Sequence, residues 1–273
     1  MNNILITGCS TGIGLKTALT LKDNGYKVYA SAREDKDIKK LNNLGFETFK
    51  IDVTKKDDIS NALETIIKND KKLDAVFNNA GFGQPGAVED ISTEILKEQF
   101  ETNVFGLHEL TIQAMKIFRK QGYGKIIQHS SVLGIISLKF RGAYNSSKYA
   151  IEGLTDTLRQ ELLGSNIYVS VINTGPVASK FRANALKKFN ANLNIENSHF
   201  NDVYLQELKK RLESKVDDTP FTLPASSVAN VILNIMQSQK PKPRYYVTKA
   251  TYLLGFFKRI LSTSLMDRLL NKI

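Results

Sequence analysis

The chain has a single cysteine, Cys9, in 273 residues. That excludes a disulfide framework and any zinc site built from several thiolates. Only three histidines are present, so a histidine-rich metal centre is a poor expectation, and no metal site is expected. Prolines number 6, and no low-complexity linker interrupts the sequence. Acids are in deficit, 27 against 38 lysines and arginines, giving a formal net charge of +11. Long apolar runs are missing as well. Uncharged stretches such as Ile126–Leu138 fall short of the roughly 20 apolar residues that a spanning helix needs. The opening Met1-Asn2-Asn3 lacks the basic, apolar and cleavage regions of a secretion signal. A cytoplasmic location is the expectation.

What is there is globular. Hydrophobic residues make up 42% and charged residues 24%, enough apolar surface for a sizeable core. The length suits one α/β unit better than two domains. The positive charge is unevenly placed. From Lys240 to Ile273 there are eight basic residues and one acid, Asp267, so this tail supplies +7 of the total. The body is nearly balanced and carries no zinc-finger, basic-zipper or RNA-recognition signature, which argues against a nucleic-acid partner.

Short apolar runs at Asn3–Thr7, Lys27–Ala32, Glu47–Ile51, Leu73–Asn78, Gly124–Ser130 and Ile167–Asn173 read as buried strands. Between them, Ile13–Asp23, Asp35–Leu44, Lys56–Asn69, Glu94–Lys120 and Tyr144–Leu163 have helical spacing. Strand–helix alternation of this kind predicts right-handed βαβ units and an α/β fold, a parallel sheet with helices on both faces. Strands covered on both faces read as continuous apolar runs, and these do. Residues 178–222 are polar and irregular and read as a lid with short helices. Leu223–Gln237 reads as one more helix, with Pro224 in its first turn. Arg244–Thr248 reads as a last strand, and 249–273 as an amphipathic basic extension.

Chemistry enters at the first strand-to-helix turn, Thr7-Gly8-Cys9-Ser10-Thr11-Gly12-Ile13-Gly14. Glycines there let backbone N–H groups and a helix N-terminus approach a pyrophosphate. The alternative is a tight turn that needs positive φ. Asn78-Asn79-Ala80-Gly81 closes the fourth strand, and Asn103 lies in Thr102-Asn103-Val104-Phe105-Gly106 on a long helix. Ser131 precedes Tyr144, and Lys148 follows Tyr144 by one helical turn, on the same face. An ammonium beside a phenol favours phenolate and lowers its pKa, as a tyrosine acid or base in carbonyl–alcohol chemistry requires. Alone, Ser131 would be a strand-end residue, Asn103 a helix-bend residue and Tyr144 a half-buried aromatic; together they point to a site.

The ordered set TGxxxGxG, NNAG, the asparagine of NVxG, serine and YxxxK resembles the short-chain dehydrogenase/reductase family over almost the whole chain. Within it, Val28–Arg33, the Gly-Phe-Gly at 81–83 and Lys242-Pro243-Arg244-Tyr245 are most similar to the 17-beta-hydroxysteroid and retinol dehydrogenase-like branch, especially bacterial NADP-dependent aldehyde reductases. The resemblance implies a single Rossmann-like doubly wound sheet over 1–273, with core and catalytic site in 1–177 and the last helix and strand in 223–248. It implies that Tyr144 donates a proton to the carbonyl oxygen, or removes one from an alcohol in reverse. Lys148 would hold the nicotinamide ribose, Ser131 the substrate oxygen, and Asn103 a water leading to Lys148. Gly8, Ser10, Thr11, Gly12, Ile13, Gly14, Asp52, Val53, Asn79, Ala80, Gly81, Gly175, Val177 and Ser179 would join Tyr144 and Lys148 around the cofactor.

Ala32 stands at the family's acidic position after the second strand and Arg33 follows it. A guanidinium suits a 2′-phosphate, so NADP(H) is the expected cofactor and NAD(H) the alternative. Two positions depart from the family: Thr174 replaces a proline, and Ser179 a threonine. Cys9 reads as packing, and secondarily as an oxidisable thiol. Gly83, Gln84, Pro85, Leu133, Phe140, Arg141 and the segment Val177–Phe181 are expected to line a largely apolar pocket for an aldehyde or ketone. His129 reads as structural. The competing readings are the same site run as an NAD(P)-dependent alcohol dehydrogenase, and a non-catalytic NADP(H)-binding sensor. By analogy a homodimer or homotetramer would pair the helices at 94–120 and 144–163, with Ile112, Met115, Ile117 and Phe118 either core or interface. The tail, Tyr252–Leu261, fits an amphipathic helix on an anionic membrane surface or a cover folded over the pocket.

Overall fold

Seven strands, Asn3–Ile6 (β1), Lys27–Ala32 (β2), Glu47–Lys50 (β3), Ala75–Asn78 (β4), Gly124–Ser131 (β5), Ile167–Thr174 (β6) and Arg244–Tyr246 (β7), form one sheet in the order β3-β2-β1-β4-β5-β6-β7. The structure, a computed structural model, describes residues 1–214 and 220–272. Part of the expected lid, 215–219, and the terminal Ile273 lie outside the described residues. Every pairing is parallel, so each strand is reached by a crossover. The crossovers carry helices Gly12–Asp23 (α1), Asp35–Asn43 (α2), Lys56–Asp70 (α3), Thr93–Phe100 (α4), Leu107–Gln121 (α5) and Gly142–Glu161 (α6). Between β6 and β7 come Phe181–Asn192 (α7), Asn201–Val203 (α8), Lys209–Glu213 (α9) and Ala225–Gln237 (α10). After β7 follow Lys249–Ile260 (α11) and Thr263–Leu270 (α12).

The continuous apolar runs are explained by the two cores. Successive strand residues point to opposite faces. Ile4, Ile6, Val28, Ala30 and Phe77 join Leu21, Leu41, Val228 and Ile232 from α1, α2 and α10 on one side. Leu5, Tyr29, Val76 and Ile126 meet Ile59, Leu63, Leu110 and Phe118 from α3 and α5 on the other. Strand order reverses direction between β1 and β4, and in such sheets ligands bind in the crevice beyond the strand carboxyl ends at that switch.

Three elements differ from the reading of the sequence. β3 is not buried on both faces: it is the sheet edge, with Glu47 and Lys50 exposed, and such charges discourage edge-to-edge pairing. The helix expected over Glu94–Lys120 is present and unbroken, but it carries a π-helical turn at Glu101–Gly106 between α4 and α5. Gly106 explains the closeness there: a Cβ at this position would fall 2.6 Å from the Val53 carbonyl oxygen. Pro224 is the N-cap of α10 rather than a first-turn residue, which leaves α10 starting at Ala225.

Candidate active site

The glycine turn is shaped by what it omits. Gly8 and Gly12 have φ of +72° and +61°, a region closed to most side chains. A Cβ on Gly14 would lie 2.3 Å from the Gly8 carbonyl oxygen and 2.6 Å from Asn79 Nδ2. The end of β4 clamps this turn. Asn79 Nδ2 donates to the carbonyls of Thr7 (2.9 Å) and Gly8 (3.1 Å), while the Thr7 hydroxyl accepts from the N–H groups of Asn79 and Ala80, both at 3.0 Å. Thr11, the N-cap of α1, makes no side-chain capping bond. The N–H groups of Gly12, Ile13 and Gly14 are thus available to an anion, with the helix dipole behind them. The cradle fits a dinucleotide pyrophosphate. Ser10 accepts a bond from Lys40 Nζ at its carbonyl, 3.3 Å away. Ser179 comes over from the far side: a Cβ on Gly12 would meet its Cβ at 3.1 Å.

The flanks of the cradle are held in the same way. Arg33 directly follows β2 and pairs loosely with Glu34 at 3.4 Å, both side chains well exposed. The Asp52 carboxylate accepts from Thr54 N and Oγ1, at 3.1 and 2.8 Å, and Val53 is buried beside it. A Cβ on Gly81 would touch Asn103 Oδ1 at 3.0 Å, and one on Gly175 would strike Thr248 Oγ1 at 2.1 Å. Val177 forms a parallel bridge with Leu223, which fixes the start of the lid.

At the other side of the crevice stand Ser131, Tyr144 and Lys148, all brought to the carboxyl end of β5. Lys148 Nζ donates to the His129 carbonyl at 2.6 Å and stands over the Tyr144 ring, 5.6 Å from its centre. Burial holds the ammonium down to about 8, against the opposing pull of the Glu152 carboxylate. Burial also pushes the Tyr144 phenol up to about 12, Ser131 pulling the other way. This is the opposite of the direction expected from the Tyr–Lys spacing: desolvation of the phenolate outweighs the hydrogen bond with Ser131. The Ser131 hydroxyl donates to the Thr174 carbonyl at 3.3 Å, a long bond. Asn103, turned inward by the π-helical turn, accepts from Phe82 N–H (3.0 Å) and donates to the Phe82 carbonyl (2.9 Å) and Ser147 Oγ (3.1 Å).

A family model described as short chain dehydrogenase matches residues 2–190. The chain belongs to the short-chain dehydrogenase family. It is 37% identical over 269 residues to the oxidoreductase YbbO of Escherichia coli (strain K12), covering 98% of this chain and 93% of that one. It is 30% identical to the NADPH-dependent 3-dehydrocapnine reductase of Ornithobacterium rhinotracheale, covering 100% and 97%. A short chain dehydrogenase/reductase from Burkholderia phymatum, solved in complex with NAD, superposes with a TM-score of 0.77 at 22% identity, covering 95% and 92%. This short-chain dehydrogenase is therefore an NAD(P)-dependent oxidoreductase.

In this short-chain dehydrogenase the lid and the tail both reach the tyrosine. Phe181 opens α7 with its ring 5.3 Å from that of Tyr144. Gly83 lies under it, where a Cβ would meet Phe181 Cζ at 2.7 Å. Leu133 packs with Tyr144 in a cluster completed by Leu254, Phe257 and Met266 from α11 and α12. The inner face of the tail thus packs into the same cluster as Tyr144. Gln84 and Phe140 are placed otherwise than a free pocket lining would be. Gln84 is buried, its amide donating to the Pro85 carbonyl and accepting from Asn192, both at 2.8 Å. Phe140 packs edge-on to Phe200 and Tyr204 in the base of the lid. Cys9 is buried, its thiol pushed up to about 12 by desolvation, so it packs as an inert side chain.

Two participants escaped the sequence. His129 contributes its carbonyl to Lys148, and its ring spans Asn79 Oδ1 (3.0 Å) and Thr174 Oγ1 (3.3 Å). An Asn Oδ1 only accepts, so His129 carries its proton on Nδ1. Burial holds the ring down to about 3, and it stays neutral. The second is Glu152, one turn beyond Lys148. Asn173 Nδ2 donates to Glu152 (2.6 Å) and to the Ser131 carbonyl (3.1 Å), and Arg244 on β7 donates to Glu152 (2.6 Å) and Asn173 Oδ1 (2.8 Å). The i, i+4 spacing of Lys148 and Glu152 was a signal available in the sequence.

Proposed function

We propose that this enzyme reduces a hydrophobic aldehyde or ketone to the alcohol with NADPH, Tyr144 being the proton donor. The observation that carries the reading is the grouping of three side chains at one end of the sheet: Lys148 Nζ stands over the half-buried Tyr144 ring, 5.6 Å from its centre, with Ser131 closing β5 beside them, and burial of the phenol favours its protonated form. An acid that retains its proton across the physiological range is ready to protonate an alkoxide forming beside it. The dinucleotide, when bound, supplies the hydride. Ser131 would turn its hydroxyl from the long bond to Thr174 toward the substrate oxygen, and Lys148 would hold the ribose beside Tyr144. Asn103, which braces Phe82, would hold the water leading to Lys148. Run in reverse as an alcohol dehydrogenase, the same tyrosine would take the proton from the alcohol.

The preference for NADP(H) over NAD(H) rests on Arg33, whose pair with Glu34 is exposed and easily exchanged for a 2′-phosphate. The name of the Ornithobacterium relative, an NADPH-dependent reductase, agrees with it. A hydrophobic substrate suits the wall of Leu133, Leu254, Phe257 and Phe181 around Tyr144. We read residues 1–273 as a single cytoplasmic catalytic unit that self-associates through α5 and α6, where Ile112, Tyr149 and Leu154 are exposed while Phe118 is core.

The test follows NADPH absorbance with a panel of aldehydes and ketones. Tyr144→Phe is expected to lower kcat by about 10²–10⁴-fold with cofactor binding intact. Full activity in that variant refutes the mechanism. Tight NADPH binding without turnover of any carbonyl replaces it with a sensor.

A further inference from the structure

α11 has two apolar faces, and the fold uses one. At 100° per residue, Thr251, Leu254, Gly255 and Phe257 share the side that packs inward, with Leu254 and Phe257 in the cluster around Leu133 and Tyr144. Tyr252, Leu253, Phe256 and Ile260 fall on an arc about 100° wide on the opposite side, and they are 59, 50, 57 and 59% exposed. Phe221, 55% exposed, joins Tyr252, Leu253 and Phe256 around a shallow hollow. A helix apolar on all sides is normally buried, and contiguous exposed apolar patches mark interaction sites.

The charges around this face choose the occupant. Lys249 lies within the arc, and Lys258 and Arg259 are exposed at its far end, with Arg268 and Lys272 exposed beyond. From Lys240 to Ile273 only Asp267 opposes eight basic residues. A second copy docked here by two-fold symmetry would set this basic face against its own image. An anionic bilayer offers the opposite charge together with an apolar layer for the side chains. α11 has 12 residues and is about 18 Å long, and among the described residues no helix is long and apolar enough to cross a membrane. It can lie in the headgroup plane and cannot span.

We propose that the outer face of α11 docks this enzyme on an anionic bilayer surface, Tyr252, Leu253, Phe256 and Ile260 entering the headgroup boundary while Lys249 and Arg259 meet lipid phosphates. Because the inner face of the same helix walls the cluster around Tyr144, docking sets the catalytic crevice beside the lipid. The docking stands apart from the carbonyl-reductase reading: flotation measures it without turnover, and activity serves only as a check on folding.

The test is flotation of the full chain with vesicles of phosphatidylcholine alone or mixed with phosphatidylglycerol. Wild type is expected to bind the anionic vesicles, weakly to bind neutral ones, and to release as salt rises. Phe256→Ser with Ile260→Ser is expected to lower the partition coefficient by roughly tenfold or more. Lys249→Glu with Arg259→Glu, which leaves the apolar arc in place, is expected to abolish the preference for anionic lipid. Both should keep wild-type circular dichroism and vesicle-free activity on a soluble aldehyde. Failure of wild type to float, or equal flotation of all three proteins, overturns the proposal. Conversion of a wild-type dimer to monomer by Phe256→Ser with Ile260→Ser, without vesicle binding, replaces the bilayer with a second copy.

Discussion

The two sides of the crevice are built by opposite means. At the glycine turn the working parts are backbone N–H groups, and side chains matter by their absence: φ is positive at Gly8 and Gly12, and no Cβ fits at Gly14. Across the crevice the working parts are polar side chains, and what matters is how far burial has moved them. Tyr144 goes up and Lys148 comes down. A ligand met by backbone amides needs a shape; a proton transfer needs groups whose affinities for protons have been set. Asn79 joins the two sides, clamping the turn through its amide and holding His129 through its oxygen.

That contrast can be tested from its strongest side downward. Lys148→Met should lower kcat on the order of 100-fold or more, while NADPH binding by fluorescence weakens much less; equal losses in both would erase the distinction. In the wild type, the ammonium of Lys148 is lost as pH rises through about 8, so kcat/KM should decline above that pH. A profile flat from pH 7 to 9.5 would show that Lys148 does not act as a cation. Glu152→Ala leaves Arg244 with only Asn173 and a longer pair to Asp156, and loosens Asn173 from the Ser131 carbonyl. Because the pair is only partly shielded, a loss of roughly 2–3 kcal/mol is expected, read as a fall in Tm, and kcat should fall with it.

On the other side, Gly14→Ala forces a Cβ against Gly8 and Asn79. It should cost about 1–3 kcal/mol and raise the Kd for NADPH, leaving the pH profile of kcat/KM unmoved. Arg33→Ala is the mildest change. The side chain is exposed and nothing in the fold leans on it, so Tm should stay within about 0.5 kcal/mol of wild type. The KM for NADPH should rise roughly tenfold while that for NADH is unchanged. Equal shifts for both cofactors would sink the role of Arg33.

Legibility followed burial. The strands could be read because both sheet faces are covered, so Ile4-Leu5-Ile6 needs no alternation; β3, open on its edge, was read as more buried than it is. The glycine turn and the Tyr144–Lys148 spacing were visible because each is a local pattern. The π-helical turn at Asn103 was not, since it depends on Gly106 meeting Val53, fifty-three positions away in the chain. Nor could local patterns show that Lys148 would be tied to the His129 carbonyl, or that desolvation would push the Tyr144 phenol up rather than down. Gln84 looked like a pocket residue by position, but it is buried with Asn192 bonded to its amide oxygen, while Phe140 is half-buried against Phe200 and Tyr204 of the lid and also lines a cavity with Arg141.

The wall that α11 and α12 add beside Tyr144 ties the site to late events in synthesis. Leu254, Phe257 and Met266 must return across more than a hundred residues to meet Leu133 and Tyr144, and α1, which carries the glycine turn, waits in the same way for Val228 and Ile232 of α10, more than two hundred positions on. Closures over such separations are slow. Both sides of the crevice are therefore completed only once α10 to α12 have emerged, so competence to bind nucleotide and competence to reduce should arrive together.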